Sequence, residues 1–189
     1  MYWTFKVLGH NDVSILNGGY LAYTKELGKD KKPVNKVERG NKRPSPKKFT
    51  ASLRKDMLID TDDVLNATKD SSTELVDLRP NHQHIGINKH GKAKRYGTIP
   101  TSKNLPESWL TKNGGGTFRG SNDVKKLFGL ASLEDRGGKI HFCNTGHWAS
   151  LGWFADSEIL GNKEAKLYDG SMVEWTANKS LPMEKKVDF

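Results

Sequence analysis

A short apolar strand, a polar loop and an apolar helix follow one another near the end of this chain. The strand spans residues 139–142, the loop begins at Cys143, and the helical run extends to residue 154. Cys143 is the single cysteine of the sequence, and Gly146 stands three residues after it. A strand that leads directly into a helix is the unit from which parallel sheets are built, because the helix returns the chain for the next parallel strand. The sequence therefore predicts an α/β fold.

Further apolar runs predict the other elements of that fold. We expect strands at residues 57–59, 75–78, 104–105, 140–142 and 166–168. Asp60 or Thr61 can cap a helix after the first strand, and Ser121 can cap another before the fourth. Ligands of parallel sheets bind beyond the carboxyl ends of the strands. Arg79, after the second strand, and Cys143, after the fourth, should therefore open onto the same edge.

The position of Cys143 indicates thiolate chemistry. Backbone amides and the positive end of a helix should surround the sulfur atom, so the thiol should ionise readily. The alternative is a small buried hydrophobic residue, which is the commonest role of a lone cysteine. Cysteine phosphatases need an arginine six positions after the nucleophile, and Ala149 stands there. A loop without a cation is better suited to a sulfur bound to the cysteine than to a phosphate dianion.

Four segments resemble the rhodanese-type sulfurtransferases. Residues 143–149 resemble the active-site loop of that family, and residues 74–79 resemble its early strand ending in Asp-x-Arg. Residues 97–106 resemble its Gly-His-Ile-Pro-Gly-Ala-x-Asn-x-Pro segment, and residues 167–175 resemble its closing Tyr-Asp-Gly-Ser-x-x-Glu-Trp. The resemblance implies a rhodanese-like three-layer α/β domain, with a central parallel sheet and helices on both faces.

The resemblance also implies an activity. Cys143 would take a sulfane sulfur from a small anionic donor, thiosulfate or 3-mercaptopyruvate, hold it as a persulfide and pass it to cyanide or a thiol. No cofactor and no metal are implied. The alternative is a catalytically weak rhodanese-like module that binds or senses sulfur.

The candidate site residues fall into three groups. The mouth of the loop would bind substrate through Asn144, Thr145, Gly146, His147 and Trp148. Arg79 and, second, Arg95 are candidates to bind the anionic donor, because guanidinium suits sulfonate or carboxylate oxygens; a buried ion pair with Asp77 is the alternative for Arg79. Structural support is expected from Asp77, Asp169 and Ser171. Thiosulfate enzymes of the family often carry cations just after the cysteine, and mercaptopyruvate enzymes often carry Gly-Ser. Asn144-Thr145 matches neither pattern, so the identity of the donor stays open.

The N-terminal residues repeat a later pattern. Residues 13–23 and 165–175 each contain a short apolar run, an Asx-Gly turn and an aromatic helical turn, and such repeats indicate duplicated units. We therefore expect residues 1–28 to be the C-terminal remnant of a first rhodanese-like domain in a tandem form. Residues 29–48 would be a linker, 49–178 the complete catalytic domain and 179–189 a tail. Uncovered apolar side chains of the remnant are expected to cause self-association.

The charge is concentrated in the expected linker. Of the net charge of +9, residues 29–48 carry +7, from nine lysines and arginines against two acidic residues, together with three prolines. Such a segment is typical of a solvated spacer, so we expect no nucleic-acid partner. The sequence contains no run of about 18 apolar residues, so it predicts no membrane-spanning helix. A cytoplasmic location is favoured and a periplasmic one is left open.

Overall fold

A parallel four-stranded sheet forms the centre of the molecule. The computed structural model describes residues 1–113, 115–134 and 137–188. The strands are β1 (Thr73–Asp77), β2 (Lys103–Asn104), β3 (Gly138–Phe142) and β4 (Ala165–Leu167). Their order in the sheet is β2-β1-β3-β4, and each neighbouring pair is parallel. The predicted α/β fold is thereby confirmed, with β1 and β3 at the centre.

Helices cover both faces of this sheet. The α-helices are α1 (Tyr2–Val7), α2 (Gly19–Thr24), α3 (Thr61–Ala67), α4 (Asn81–His84), α5 (Ser121–Leu130), α6 (His147–Phe154) and α7 (Ser171–Ala177). One apolar cluster joins the sheet to α1, α5 and α6, and a second joins it to α3 and α7. A π-helical turn (Ala155–Ile159) prolongs α6, and single 3-10 turns occupy Lys55–Met57 and Glu107–Trp109.

Alternation along the central strands decides which layer each side chain enters. Leu75 of β1 and Phe142 of β3 belong to the α3/α7 layer, whereas Val76 belongs to the α5/α6 layer. Successive residues of a strand point to opposite faces. Cys143, directly after Phe142, accordingly belongs to the layer of α6.

Two local predictions need correction. The expected strand at residues 57–59 is a 3-10 turn followed by one parallel bridge, between Leu58 and Leu167. The extended run ends at Asp60, because this residue is the N-cap of α3. It forms a capping box in which its side chain accepts a hydrogen bond from Asp63 N at 3.0 Å. The expected cap Ser121 is instead the first residue of α5, and Gly120 holds the cap position without a side-chain bond.

The N-terminal helix packs against the sheet domain. Trp3 is 8% exposed, and Tyr2 donates to Glu158 at 3.0 Å and meets the Phe154 ring edge-on at 5.1 Å. Val7 is buried as well. The expectation that residues 1–28 stay uncovered is therefore wrong for α1. Burial of aromatic surface explains the docking, since each such side chain removes a large apolar area from water.

The rest of the expected remnant differs from α1. No strand forms at residues 13–16, and only the helical turn α2 follows. Its apolar side chains remain largely in solvent, with Leu16 56% and Leu21 81% exposed. Self-association through this surface stays a prediction.

The basic segment and the C-terminal residues also differ from each other. Nearly all of residues 29–48 are exposed, and the ion pairs that they form with described residues are Lys32–Asp30 and Lys42–Glu38. The expected tail instead contacts the domain: Leu181 is buried, and Glu184 forms a two-way backbone bridge with Thr98. Within the part of the chain that the structure describes, no helix is long and apolar enough to cross a bilayer.

Candidate active site

Cys143 lies where β3 ends, at the start of a tight loop that leads into α6. The side chain carries a free thiol and is 1% exposed. Gly146 caps α6 in the left-handed region, with φ of 80°. A Cβ atom at this position would collide with Asp169 Oδ1, and residues with a side chain rarely adopt this φ, so glycine is favoured here. The loop thus curls tightly between the strand and the helix, as the sequence predicted.

Ser171 holds the loop through its hydroxyl group. Its Oγ accepts from Cys143 N at 3.1 Å and from Gly146 N at 3.2 Å, and it donates to Tyr168 O at 2.9 Å. Ser171 is fully buried and adopts a φ of 50°, which is uncommon for a residue with a side chain. Backbone strain of this kind persists where the surrounding contacts fix it. The predicted brace is thus in contact with both ends of the loop.

The start of α7 adds backbone bonds to the same loop. Met172 N donates to Cys143 O at 3.0 Å, and Val173 N donates to Asn144 O at 3.1 Å. Asp169, the other predicted brace, is exposed and acts by contact, because it crowds the space beside Gly146. The turn between β4 and α7 therefore fixes the loop on one side.

Several amides of the loop are left without an acceptor. None of the residues that the structure describes accepts a hydrogen bond from the backbone N–H of Thr145, His147 or Trp148. The first amides of any helix lack a partner within the helix, and they carry the positive end of its dipole. They are suited to hold a negatively charged group that is bound in the loop.

The side chains at the mouth have different surroundings. Asn144 is 3% exposed, and its Nδ2 donates to Gln83 Oε1 at 2.9 Å. Thr145 Oγ1 lies 3.2 Å from the Nδ1 atom of His147, whose side chain is exposed. Trp148 is half-buried against the α6 layer and lines a cavity of about 390 Å³ between the domain and residues 15–19. The five predicted mouth residues thus lie at the junction between the Cys143 loop and the first turn of α6.

Arg79 is engaged in a buried ion pair. It is 1% exposed, and its Nη2 and Nε donate to Asp77 Oδ2 and Oδ1 at 2.6 and 2.9 Å. Asp77 also accepts from Thr98 Oγ1 at 2.8 Å and lies 3.0 Å from His84 Nδ1. Burial alone would raise the pKa of the Asp77 carboxyl, but Arg79 and His84 outweigh it and hold that pKa below its usual range. The geometry corresponds to the alternative that the sequence left open for Arg79.

Arg95 is engaged as well, far from the loop. Its guanidinium donates to the backbone carbonyls of Trp175, Thr176, Asn178 and Leu181, at 2.7 to 3.2 Å. These carbonyls surround the end of α7, where a cation satisfies groups that the helix cannot. Arg95 accordingly closes the far end of α7 rather than facing Cys143.

Two further polar groups near the loop were missed in the sequence. Gln83 of α4 is the partner of Asn144. His141, two residues before Cys143 on the same face of β3, is fully buried with its Nε2 at 2.9 Å from Asp156 Oδ2. Alternation along β3 could have placed His141 beneath the loop, whereas nothing local links Gln83 to Asn144. Among the described residues, no group of acidic, histidine or cysteine side chains could hold a metal ion.

Comparison with known proteins agrees with this fold and loop. Residues 60–178 match the family model described as "Rhodanese-like domain". The chain is 33% identical over 191 residues to a Mycolicibacterium smegmatis protein named "Putative thiosulfate sulfurtransferase". It is 28% identical over 197 residues to "Sulfur carrier protein TtuD" of Thermus thermophilus. Each match covers 97% of this chain and 65% of the relative, so the chain spans less than two thirds of either.

A solved structure extends the likeness to three dimensions. The Tum1 protein from Saccharomyces cerevisiae superposes with a TM-score of 0.76 at 21% identity, over 98% of this chain and 64% of that one. At such identity the match concerns the fold alone. The family model nevertheless covers most of the chain, including β1, β3 and the Cys143 loop. The chain belongs to the rhodanese-like domain family.

Proposed function

We propose that this chain moves a sulfane sulfur from thiosulfate or 3-mercaptopyruvate to cyanide or a thiol, through a persulfide on Cys143. The observation that supports the proposal is the loop itself. One free thiol lies at the carboxyl end of a central strand, and the loop and helix start that follow it carry the amides of Thr145, His147 and Trp148, from which no described residue accepts a hydrogen bond. A persulfide places its outer sulfur one bond beyond the thiol, with a single diffuse negative charge that such amides can stabilise.

The proposed reaction has two displacement steps. The Cys143 thiolate attacks the outer sulfur of thiosulfate, the S–S bond of the donor breaks, and sulfite leaves with the electron pair. With 3-mercaptopyruvate the C–S bond breaks instead, and the pyruvate enolate that leaves takes up a proton. Cyanide then attacks the outer sulfur of the persulfide and departs as thiocyanate, which restores the thiolate. This is covalent catalysis of the ping-pong type.

The test is an intact-mass measurement. The protein is incubated with each donor, and a gain of one sulfur, about 32 Da, is expected because Cys143 is the only thiol that can form a persulfide. Cyanide or dithiothreitol should remove the added mass. Absence of any gain with either donor would contradict the proposal.

A second function is favoured by the burial of the nucleophile. Cys143 is 1% exposed, which suits a module that stores or senses sulfur with little turnover better than a rapid enzyme. The relative named as a sulfur carrier points in the same direction. Sulfur loading with steady release to cyanide favours the enzyme, whereas stoichiometric loading without turnover favours the carrier or sensor.

A further inference from the structure

The Asn144 amide is incompletely bonded although it is almost fully buried. The side chain is 3% exposed, its Nδ2 donates to Gln83 Oε1 at 2.9 Å, and its Oδ1 is buried with no partner among the described residues. Buried polar atoms without a partner are rare in folded proteins, since each gives up its hydrogen bonds to water. A buried oxygen without a partner, on the residue directly after the nucleophile, indicates that a bound ligand supplies the missing hydrogen bond.

The amide pair lies at the edge of the sheet where Cys143 lies. Gln83 is on α4, which follows β1, and Asn144 is in the loop that follows β3. These two strands are neighbours, with Asp77 paired to Phe142 at their carboxyl ends. The Gln83–Asn144 bond therefore joins the two loops that border the crevice in which ligands of such sheets bind.

Neither arginine that the sequence offered as a donor-binding group is available to the loop. Arg79 is paired with Asp77 at this edge, and Arg95 binds carbonyls at the far end of α7. Without these two guanidinium groups, the binding of an anionic donor depends more strongly on neutral dipoles of the loop. A dianion such as thiosulfate is costly to hold in a buried site without a counter-ion, whereas a single negative charge is much less so.

An amide pair can supply such a dipole by rotating. If both terminal amides turn by 180°, Gln83 Nε2 donates to Asn144 Oδ1, and Asn144 Nδ2 becomes the unmet atom. The pair then presents an N–H donor in place of an oxygen acceptor at the same position. An anionic ligand would select this second arrangement, because an oxygen acceptor would repel it.

We infer that the Gln83–Asn144 amide pair recognises the anionic group of the sulfur donor, and that it favours a monoanionic donor such as 3-mercaptopyruvate over the thiosulfate dianion. The inference rests on the proposed sulfur-transfer function and names its substrate class. Asn144 would touch the donor, and Gln83 would be a positioning residue that sets the orientation of the Asn144 amide.

Alkylation of Cys143 tests the recognition without any sulfur chemistry. The readout is the rate with anionic iodoacetate divided by the rate with neutral iodoacetamide, measured for Cys143, the single cysteine of the chain. The same ratio in the urea-unfolded protein gives the value without a site. We expect the folded protein to show a higher ratio than the unfolded protein.

Two variants isolate the amide pair. Asn144→Leu removes the donor without adding charge, and Gln83→Glu leaves a partner that can only accept, which fixes Asn144 with its oxygen outward. Each should lower the ratio about tenfold, the effect of one hydrogen bond to a charged group. His82→Glu adds the same charge to α4 on an exposed residue and should lower the ratio by about twofold at most.

The outcomes separate this inference from the proposed function. An unchanged ratio in Asn144→Leu, or an equal fall in His82→Glu and Gln83→Glu, would overturn the recognition role. Faster sulfur loading of the unaltered protein from thiosulfate than from 3-mercaptopyruvate would overturn the preference for a monoanion. Failure to load sulfur from either donor would contradict the proposed function while leaving the alkylation ratios as evidence for an anion site.

Discussion

Two segments of this molecule share a sequence pattern and adopt different structures. Residues 165–175 form β4, a turn and α7, and Leu167 and Trp175 are fully buried. Residues 13–23 have the same order of apolar run, Asx-Gly turn and aromatic turn, yet only the short helix α2 forms, and Leu16 is 56% exposed. The difference is a neighbour: β4 pairs with β3 through three residues, and residues 13–16 have no strand beside them in the described chain. A strand pattern becomes a strand only when its backbone groups find a partner.

The largest expected difference between the two segments is chemical. The loop braced by the second segment carries Cys143, the single cysteine of the sequence. Replacing the thiol by the nearly isosteric hydroxyl in Cys143→Ser should abolish sulfur transfer to cyanide, because a serine hydroxyl is not ionised near neutral pH. Residual activity above about 1% of the original rate, in a variant with unchanged circular dichroism, would contradict the assignment.

The sheet domain and the N-terminal region should also differ in how an acidic side chain changes the pH dependence of stability. The pKa of Asp77 is lower in the folded protein than in the unfolded chain, so its carboxylate stabilises the fold above about pH 4 and this contribution is lost as the pH falls. Asp77→Asn should cost about 3–5 kcal/mol at pH 7, since it leaves Arg79 buried without its partner. Urea unfolding at pH 7 and at low pH should show a weaker acid dependence in this variant.

Asp12 supplies the control for that experiment. It is exposed and belongs to the N-terminal region. Asp12→Asn should change the free energy of unfolding by less than about 0.5 kcal/mol at either pH. Equal effects of the two substitutions would show that the Asp77 network is not responsible for the acid dependence.

Matched leucines compare the apolar runs directly. Leu167→Ala removes a fully buried side chain and should destabilise the protein by about 2–5 kcal/mol. Leu16→Ala changes a side chain that is 56% exposed and should cost less than about 0.5 kcal/mol. Chemical denaturation of both variants measures the difference, and a large effect at Leu16 would indicate that residues 13–23 are covered in solution by contacts such as self-association.

The turns of the two segments differ in one hydroxyl group. Ser171→Ala leaves Cys143 N and Gly146 N without their acceptor and should lower the free energy of unfolding by about 1–3 kcal/mol. The rate of sulfur loading should fall as well, because the loop that carries the nucleophile loses its brace. Gly19 is the counterpart of Ser171 and lies in open space at φ of 63°. Gly19→Ala should cost about 1 kcal/mol or less and leave sulfur loading unchanged. A loading rate that is unaffected in Ser171→Ala would remove the brace from the mechanism.

The basic segment should have the smallest effect. Lys42, Arg43, Lys47 and Lys48 are exposed and lie outside the described contacts of the Cys143 loop. Exchanging all four for glutamine should leave kcat unchanged, because their charge is solvated. A loss of more than about threefold in kcat/KM at low salt would indicate that the segment steers the anionic donor.

The parts of the fold that the sequence predicted are those in which local pattern and tertiary contact agree. β1 and β3 have apolar runs and pair with each other, and Ser171 lies in a turn whose family motif is continuous. The failures at residues 57–59 and Ser121 concern the local type or boundary of an element, whereas those at Arg95 and α1 involve partners that are distant in sequence. Arg95 binds carbonyls about 80 residues away, and Tyr2 contacts Glu158 across 156 positions. Neither contact leaves a periodic trace that a single sequence can reveal.

The attachment of α7 at both ends has a consequence for hydrogen exchange. Its first amides bond to the carbonyls of Cys143 and Asn144, and Arg95 binds the carbonyls at its last turn. Segments tied in this way open as one cooperative unit. The hydrogen-bonded amides of α7, Cys143 and Gly146 should therefore share one free energy of opening in hydrogen exchange, which reports how often the site comes apart in the otherwise folded protein.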